Sequence, residues 1–346
     1  MNPELYRAAS SGDLSLFERL ANSETLVDVT IEKSTVLHVA VQCNHLQVAQ
    51  KIVELRPSGP SLLYQTNSKG NTPLHVARVG SHSMVKLLVE HIESLDVEIG
   101  GQKILRMVNL VKDTALHVAV RYGKYEVVEE LIKEDPELAM SINKAGESAL
   151  FLAVDRKFYE IASQILSAAP EYSFAGRDGM NVLHAIALRS SRKSLFFFDK
   201  RLENSSKQGE NLGCTPLHIA AGMGNVKLVK LFLENRTSPA YVKDQKGLCA
   251  FHIAAKEGNV LVMEELITGC PDIYELLDNR GRTALHVAAE NGWPEAVNFF
   301  LKKPDLKGLI NEQDEEGNTP MHLAAVEGHY KILLNWHVVE MLTQMR

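Results

Sequence analysis

Histidine is the residue of this chain that most readily suggests chemistry, because a neutral imidazole can bind a metal ion or act as a general base. The sequence has thirteen histidines, and eight of them recur at long and similar intervals. These eight are His38, His75, His117, His184, His218, His252, His286 and His322. Two helical metal ligands are usually four residues apart, whereas successive recurring histidines are at least 34 residues apart. The spacing therefore indicates a repeated structural role.

The sequence has no other pattern that is typical of catalysis or metal binding. His82 and His91 are nine residues apart, and no H-E-x-x-H, G-x-S-x-G or P-loop motif occurs. The four cysteines lack C-x-x-C spacing, which favours reduced thiols over a zinc site. Acidic pairs such as Glu129-Glu130 fall at positions predicted to face solvent. We therefore expect no enzyme activity, no cofactor and no bound metal.

The recurring histidines belong to a repeated phrase with the form Thr-Pro-Leu-His. Its best copies begin at Thr72, Thr114, Thr215, Thr283 and Thr319, and looser copies begin at Thr35, Ser148, Asn181 and Cys249. Most intervals are 33 to 37 residues, and one is 42. Thr or Ser is favoured as a helix N-cap, and Pro is favoured at the first helical position. Each phrase therefore predicts the start of a short helix.

The residues around each phrase predict a helix pair preceded by a tight turn. A Gly or Asn follows the first helix, as at Asn44 and Gly123, where a left-handed backbone conformation is expected. Apolar pairs four residues apart, such as Val127-Val128 and Leu131-Ile132, then predict a second amphipathic helix. A D/N-x-x-G turn precedes five of the phrases, as at Asn67–Gly70.

Nine copies of this phrase at a period near 33 residues resemble the ankyrin repeat. The resemblance implies an all-α solenoid of about ten helix-turn-helix repeats with β-hairpin fingers, of which Leu5–Leu20 would be a degenerate first copy. It also implies that the recurring histidines make structural hydrogen bonds with the capping Thr and the neighbouring backbone. In such a solenoid the variable turn and helix-end residues bind partner proteins.

Irregular spacing divides the predicted stack. We predict N-terminal repeats over residues 1–184, an irregular repeat or hinge over 185–212, and C-terminal repeats over 213–346, the last of them truncated. A long surface loop is the alternative to a hinge. In the last repeat Trp336, Val338, Val339 and Leu342 are expected to leave an apolar surface, covered by a partner or by further chain.

A narrower resemblance rests on four segments. Leu5–Asp13, Asp113–Gly123, Asp135–Leu138 and Asn143–Leu150 are similar to the plant accelerated-cell-death type of ankyrin protein. In that family a membrane segment of several helices, the PGG domain, follows the repeats. The resemblance implies a role in plant defence or cell-death signalling and a location on the cytosolic side of the plasma membrane. The present 346 residues contain no such segment.

Composition limits the class of partner and the compartment. The formal net charge is −6 and no run of five basic residues occurs, which argues against nucleic-acid binding. The first residues lack the basic and apolar regions of a signal peptide. No apolar run approaches the roughly 18 residues that a membrane-spanning helix needs. We therefore expect a cytoplasmic protein.

The expected function is that of a protein–protein interaction scaffold. A partner protein would bind the concave face of the solenoid, at turn and helix-end residues that the repeat leaves free to vary. These are Lys69, Arg78, Arg121, Tyr122, Lys144, Arg156, Lys246, Lys256, Arg280, Arg282, Glu290, Glu315, Glu316 and Glu327. The basic middle repeats would accept an acidic or aromatic segment, with Tyr122 and nearby arginines as anchors. Ordinary solubilising charge is one alternative, and the cytosolic ankyrin part of a membrane-anchored signalling or transport-like protein is another.

Overall fold

The computed structural model describes residues 1–21, 26, 28–55, 62–77, 82–99, 102–189, 213–235 and 238–344. The chain divides into two compact units, Met1–Asp178 (unit 1) and Gly179–Arg346 (unit 2). Each unit is a stack of short helix pairs, which confirms the predicted all-α ankyrin-repeat architecture. Residues 190–212 of the predicted hinge lie outside the described residues, so the hinge and the predicted repeat boundaries remain predictions.

Unit 1 contains eleven helices in its described part. They are α1 (Pro3–Ser11), α2 (Leu14–Leu20), α3 (Val36–Gln42), α4 (Leu46–Glu54), α5 (Pro73–Val76), α6 (His82–Ile99), α7 (Gln102–Leu105), α8 (Ala115–Arg121), α9 (Tyr125–Glu134), α10 (Ala149–Asp155) and α11 (Tyr159–Ala168). A 3₁₀ segment, Pro136–Met140, follows α9, and another, Arg177–Gly179, lies at the division between the units. The 42-residue spacing is taken up by α6, which has 18 residues against 10 in α9.

Unit 2 contains nine helices in its described part. They are α12 (Val182–Leu188), α13 (Pro216–Gly222), α14 (Val226–Asn235), α15 (Ala250–Lys256), α16 (Val260–Gly269), α17 (Ala284–Glu290), α18 (Pro294–Lys302), α19 (Pro320–Val326) and α20 (Tyr330–Gln344). The 3₁₀ segments Ser238–Tyr241, Ile273–Glu275 and Pro304–Asn311 connect successive pairs.

Within each unit, like helices stack on like helices. First helices contact first helices, as α8 contacts α10 and α15 contacts α17, and second helices pack in a parallel row, as α9 contacts α11. All six residues of Ala115–Val120 in α8 are buried, because one side faces the neighbouring first helix and the other faces α9. Small residues such as Ala119 allow this close approach. The buried core is therefore mainly aliphatic side chains and alanine.

The predicted fingers are tight turns with very short arms. In the turn Asn143–Gly146, Gly146 N donates to Asn143 O, and Asn143 N donates to Glu147 O. Isolated antiparallel bridges join Val29 to Thr35 and Ile142 to Ser148, and the described residues form no longer strand. The arms are too short for a ladder, so the fingers are turns rather than extended hairpins.

The D/N-x-x-G pattern did not predict two of the fingers, because lysine replaces the turn glycine in them. Lys33 and Lys112 both have a φ of 58°, in the left-handed region where glycine is usual. Their turns begin at Thr30 and Asn109, five residues before the capping threonines. Because the turn always begins five residues before the cap, the position of the cap is enough to predict both turns, even without a glycine.

The surface predicted at the last repeat differs from the one observed. Trp336 is 2% exposed and is among the largest fully buried side chains, so the prediction that it lies open was wrong. Its helix α20 packs on α18 and on α19. The side chains of residues 338–346 lie outside the described part of the chain. The exposed apolar residues of this repeat are Val326, Tyr330 and Leu334.

Candidate interaction surface

The recurring histidines are used to hold neighbouring repeats together. In α8 the backbone N–H of Thr114 donates to His117 Nδ1 at 3.2 Å, and the Thr114 hydroxyl lies 2.8 Å from the same nitrogen. On the other side of the ring, His117 Nε2 lies 3.1 Å from the carbonyl oxygen of Glu147 in the next repeat. Equivalent contacts to the next repeat are made by His38, His75, His184, His218, His252 and His286.

This geometry requires a neutral imidazole. Nδ1 accepts a backbone N–H, so the ring proton must be on Nε2, where it is donated to the carbonyl. Burial lowers the pKa of His38 and of His252 to about 4, because the charged form would lose its hydration. Burial lowers the pKa of His117 and His218 in the same way. These rings are therefore structural donors, fixed in one tautomer.

One repeat places a cysteine where the others have threonine, which forms a buried Cys–His pair. Cys249 Sγ lies 3.0 Å from His252 Nδ1. Such a pair could act as a nucleophile and base if the thiolate formed at a substrate site. Both residues are fully buried, and burial raises the thiol pKa of Cys249 while it lowers the pKa of His252. Both groups are thus neutral, and Cys249 acts as a helix cap.

The repeat with phenylalanine in the histidine position uses a different contact. Phe151 is buried below Gly176, where an added Cβ atom would lie 2.2 Å from the ring. Arg177 lies over the same ring, with its guanidinium carbon 5.6 Å from the ring centroid. Ser148 still caps the helix and accepts the Phe151 N–H at 3.1 Å. Ser148 N donates to Ala175 O at 2.9 Å, so a direct backbone hydrogen bond and the packing of Phe151 replace the histidine link at this joint.

A second row of links joins the second helix of one repeat to the first helix of the repeat before it. His45 Nε2 lies 2.9 Å from Ser10 O, Trp293 Nε1 donates to Lys256 O at 2.7 Å, and His329 Nε2 lies 2.9 Å from Glu290 O. Each side chain lies ten residues after a capping position. Asn259 makes the equivalent contact by donating to Ala221 O at 2.8 Å. Sequence reasoning missed this row because the residue type varies among His, Asn and Trp, which share only the ability to donate a hydrogen bond.

The glycines between paired helices make this second row possible. A Cβ atom on Gly258 would lie 2.6 Å from the Trp293 ring, and one on Gly292 would lie 2.6 Å from the His329 ring. Both glycines also have positive φ, at 70° and 76°. They therefore meet two requirements, a left-handed turn and a close approach.

In unit 1 the predicted partner-binding residue Arg121 belongs to an ion-pair network within the chain, together with Arg177. Arg121 contacts Asp113 at 3.0 Å and Glu147 at 3.8 Å. Arg177 contacts Glu147 at 3.2 Å and also pairs with Asp155. Asp113 and Glu147 precede successive capping residues and are almost fully buried. This network compensates their charge and joins three neighbouring repeats.

Unit 2 has a similar network at the equivalent positions. Arg282 contacts Asp278 at 2.7 Å and Glu290 at 2.5 Å. Arg280 lies 3.5 Å from Glu290 and 3.3 Å from Glu316 of the next finger. Arg282 is 9% exposed. Spacing of eight residues between opposite charges, as in Asp113/Arg121 and Arg282/Glu290, is the sequence signal for these pairs.

The predicted partner-binding residues differ in accessibility. Lys69, Tyr122, Lys144, Lys246, Arg156, Arg280, Glu315, Glu316 and Glu327 are exposed. Arg121, Lys256 and Glu290 are partly exposed, Arg282 is buried, and Arg78 lies outside the described residues. Their role in partner binding stays a prediction.

Across the described ranges, no group of three or more His, Cys, Asp or Glu side chains is arranged to hold a metal ion. In the same part of the chain, no helix has both the length and the apolar character to cross a membrane.

Comparison with known proteins places the repeats in a known family. The family model described as ankyrin repeats (3 copies) matches residues 5–100, 101–178, 183–274 and 251–335.

Two curated relatives share part of this sequence. Protein ACCELERATED CELL DEATH 6 of Arabidopsis thaliana is 30% identical over 155 residues, which are 42% of this chain and 22% of that protein. Transient receptor potential cation channel subfamily A member 1 of Homo sapiens is 27% identical over 235 residues, which are 67% of this chain and 17% of that protein. The matched regions thus span about a fifth of these relatives.

A solved structure supports the fold. The ankyrin repeat domain of Bcl-3, described as a unique member of the IkappaB protein family, superposes with a TM-score of 0.54. It is 21% identical in sequence, and the match covers 67% of this chain and 98% of that one. At this identity the likeness concerns the fold alone.

Proposed function

This chain belongs to the ankyrin-repeat family, and from that premise we propose that it is a non-catalytic scaffold that binds a partner protein on the face formed by its fingers and first-helix ends. The observation that supports this most directly is where the chemically capable side chains lie. Seven of the eight recurring histidines hold the next repeat, and Cys249 caps a buried helix. Only surface residues are left to act on other molecules.

A rigid surface is the physical basis of the proposed binding. Hydrogen bonds join neighbouring fingers over residues 29–146 and again over 244–317, and inner first helices such as α8 and α17 pack on a first helix at either side. Little conformational entropy is then lost when a partner binds. Tyr122 is 49% exposed at the end of α8, and Arg156 is exposed at the equivalent end of α10. Both residue types are common at interaction hot spots, so we propose them as anchors.

The test is a binding measurement with matched variants. Partners would be isolated by a two-hybrid screen with the full chain, and each would be titrated as a purified protein against Tyr122→Ala and Arg156→Glu. We expect the dissociation constant to rise about tenfold or more for each variant, as for hot-spot truncation. Glu129→Lys, on the exposed side of α9, is the matched control and should change it by less than about twofold. Partners that respond equally to all three variants would place the binding face elsewhere.

A second candidate is the cytosolic ankyrin part of a membrane-anchored signalling or channel-like protein. The observation that favours it is that the matched region is about a fifth of the two relatives, one of which is named a cation channel. The name of the Arabidopsis relative supports, in the same way, a role in plant defence or cell death. An immunoblot of native tissue tests it. A band near 38 kDa in the aqueous fraction favours a free cytoplasmic scaffold, whereas a larger band that requires detergent favours the tethered protein.

A further inference from the structure

The four fingers of unit 1 form one continuous surface, which we call the finger ribbon. It consists of residues 29–33, 67–70, 108–112 and 142–146. Ser68 N donates to Glu32 O at 2.8 Å, Leu110 N donates to Lys69 O at 3.2 Å, and Lys144 N donates to Val111 O at 2.9 Å. These bonds join the tips of the fingers in sequence, so their side chains are displayed on a connected backbone.

The tips of the finger ribbon expose large apolar side chains. Ile31 is fully exposed, Leu110 is 69% exposed and Val111 is 52% exposed. The three fingertips of unit 2 over residues 244–317 are instead polar, with Gln245-Lys246, Asn279-Arg280 and Glu315-Glu316. Exposed apolar residues concentrated in one place usually mark an interaction site.

Each finger of the ribbon also has one exposed lysine. These are Lys33, Lys69, Lys112 and Lys144, and among the described residues none of the four forms an ion pair. The ribbon has a single acid, Glu32, so four positive charges and one negative charge give it a net charge of +3. In unit 2 the fingertip Arg280 is instead paired with Glu316. The ribbon is therefore electropositive on a protein whose total charge is −6.

A groove lies at one end of the finger ribbon. It has a volume of about 670 Å³ and lies between the first finger and the helices α1 and α3. Its apolar lining includes Tyr6, Val29, Ile31 and Val39. Tyr6 is 47% exposed and Val29 is 40% exposed, so the groove is open to an incoming side chain.

We propose that the finger ribbon binds an extended acidic peptide segment of a partner protein, with a large apolar residue of that segment in the groove and its carboxylates on the lysines. The proposal rests on the function proposed above and specifies the chemistry of the partner. Adjacent repeats are about 10 Å apart, so four fingers span roughly 30 Å. An extended chain covers that distance with about nine residues.

The observations favour a peptide over an anionic membrane surface. Lysines beside exposed Leu and Ile would also suit a bilayer with acidic headgroups. A bilayer, however, offers no single side chain to a concave groove, and the first fingertip forms one wall of such a groove. A peptide satisfies the groove and the lysine row together.

The experiment uses the full chain and a defined probe. A random library of 12-residue peptides displayed on phage is selected against the wild-type chain. The strongest peptide is then synthesised, and its affinity is measured by fluorescence anisotropy for the wild-type chain, for Tyr122→Ala and Arg156→Glu, and for three further variants. The triple variant Lys69→Glu, Lys112→Glu, Lys144→Glu removes the charge, and Ile31→Ser removes the apolar wall. Lys246→Glu, at a fingertip of unit 2, is the matched control. All of these residues are exposed, so the variants should fold.

We expect the selected peptides to be rich in Asp and Glu with one large apolar residue. The triple variant and Ile31→Ser should each weaken binding about tenfold or more, and Lys246→Glu less than twofold. If the ribbon variants leave the peptide affinity unchanged but Tyr122→Ala or Arg156→Glu lowers it, the proposal for the finger ribbon is wrong and the scaffold function is still supported. If neither peptides nor proteins bind, both proposals fail. Sedimentation with vesicles of phosphatidylcholine and phosphatidylserine is run in parallel, and binding to vesicles alone, lost in the triple variant, would overturn the proposal in favour of a membrane.

Discussion

His117 Nε2 lies 3.1 Å from the carbonyl oxygen of Glu147, a residue of the next repeat. The same ring accepts the N–H of Thr114 through Nδ1, so one side chain caps its own helix and holds its neighbour. The contact recurs in both units and gives each interface that carries such a histidine a polar link between repeats. The energetics of the stack can therefore be tested one interface at a time.

Replacement of a linking histidine should destabilise the fold. We expect His117→Ala to lower the free energy of unfolding by about 2–4 kcal/mol, because a cavity forms and buried polar groups lose their partner. His322→Ala is the control, since its ring is exposed and makes its hydrogen bonds, among the described residues, with Thr319 of the same helix cap. That variant should lose less than about 1 kcal/mol. Urea unfolding measures both, and equal losses would contradict the linking role.

The neutral histidines should make the fold sensitive to mild acid. Their pKa is lowered in the folded state, to about 4 for His38 and His252, so the unfolded chain binds more protons below pH 6.5. Each such histidine contributes fully to the free energy of unfolding above pH 6.5. This contribution, roughly 3 kcal/mol, is lost as the pH falls towards 4. Urea unfolding between pH 7 and 5 isolates this effect from most carboxylates. His252→Gln should reduce the slope, and a flat profile in wild type would contradict this account.

The two arginines of the unit 2 network should contribute unequally to stability, because Arg282 is buried and Arg280 is half exposed. Arg282→Ala leaves Asp278 buried without its partner, and we expect a loss of about 3 kcal/mol. Arg280→Ala removes a guanidinium that is half exposed, and the loss should be below about 0.5 kcal/mol. Thermal unfolding of the two variants makes the comparison. A larger effect from Arg280 would mean that the burial of Arg282 is not what stabilises the pair.

The turn of the phenylalanine-containing repeat should gain stability from glycine. Lys157 has a φ of 64°, in the position where the preceding repeat has Gly123 at 66°. We expect Lys157→Gly to add about 0.5–1 kcal/mol, because relief of left-handed strain exceeds the entropy cost of glycine. The reciprocal Gly123→Lys should destabilise, since its Cβ would lie 3.0 Å from Phe158. Denaturant unfolding should show that Lys157→Gly raises the free energy of unfolding and that Gly123→Lys lowers it. A change in the same direction for both variants would contradict this explanation.

Local sequence patterns were sufficient to predict the architecture, because the residues that begin and end each helix lie within a single repeat. The cap at Thr114, the helix up to Arg121 and the left-handed Gly123 all follow from residue types within one repeat, and the structure has them at those places. The fold class and the family were predictable for that reason. The fingers at Thr30 and Asn109 were missed only because lysine occupies the glycine position.

The surface was less predictable, because it depends on which side chains of different repeats meet. Arg121 and Arg282 have the residue type and position of partner-binding side chains, yet each lies against carboxylates of its own chain. Trp336 has the apolar character of an exposed end, yet it is buried, and its helix packs on α18. The pairs Asp113/Arg121 and Arg282/Glu290 lie within one repeat, whereas the contact of Arg121 with Glu147 and the packing of α20 on α18 join different repeats.

The sequence by itself thus determined the repeat, the caps and the turns, since these depend on contacts within about ten residues. Only the tertiary structure decided which charges are neutralised and which remain available. Ion pairs between repeats, such as that of Glu147 with Arg177, join residues that are far apart in the sequence, and stacking sets the distances between them. The four lysines of the finger ribbon differ in that respect, because stacking brings their fingers together and none of the four forms an ion pair with a described carboxylate.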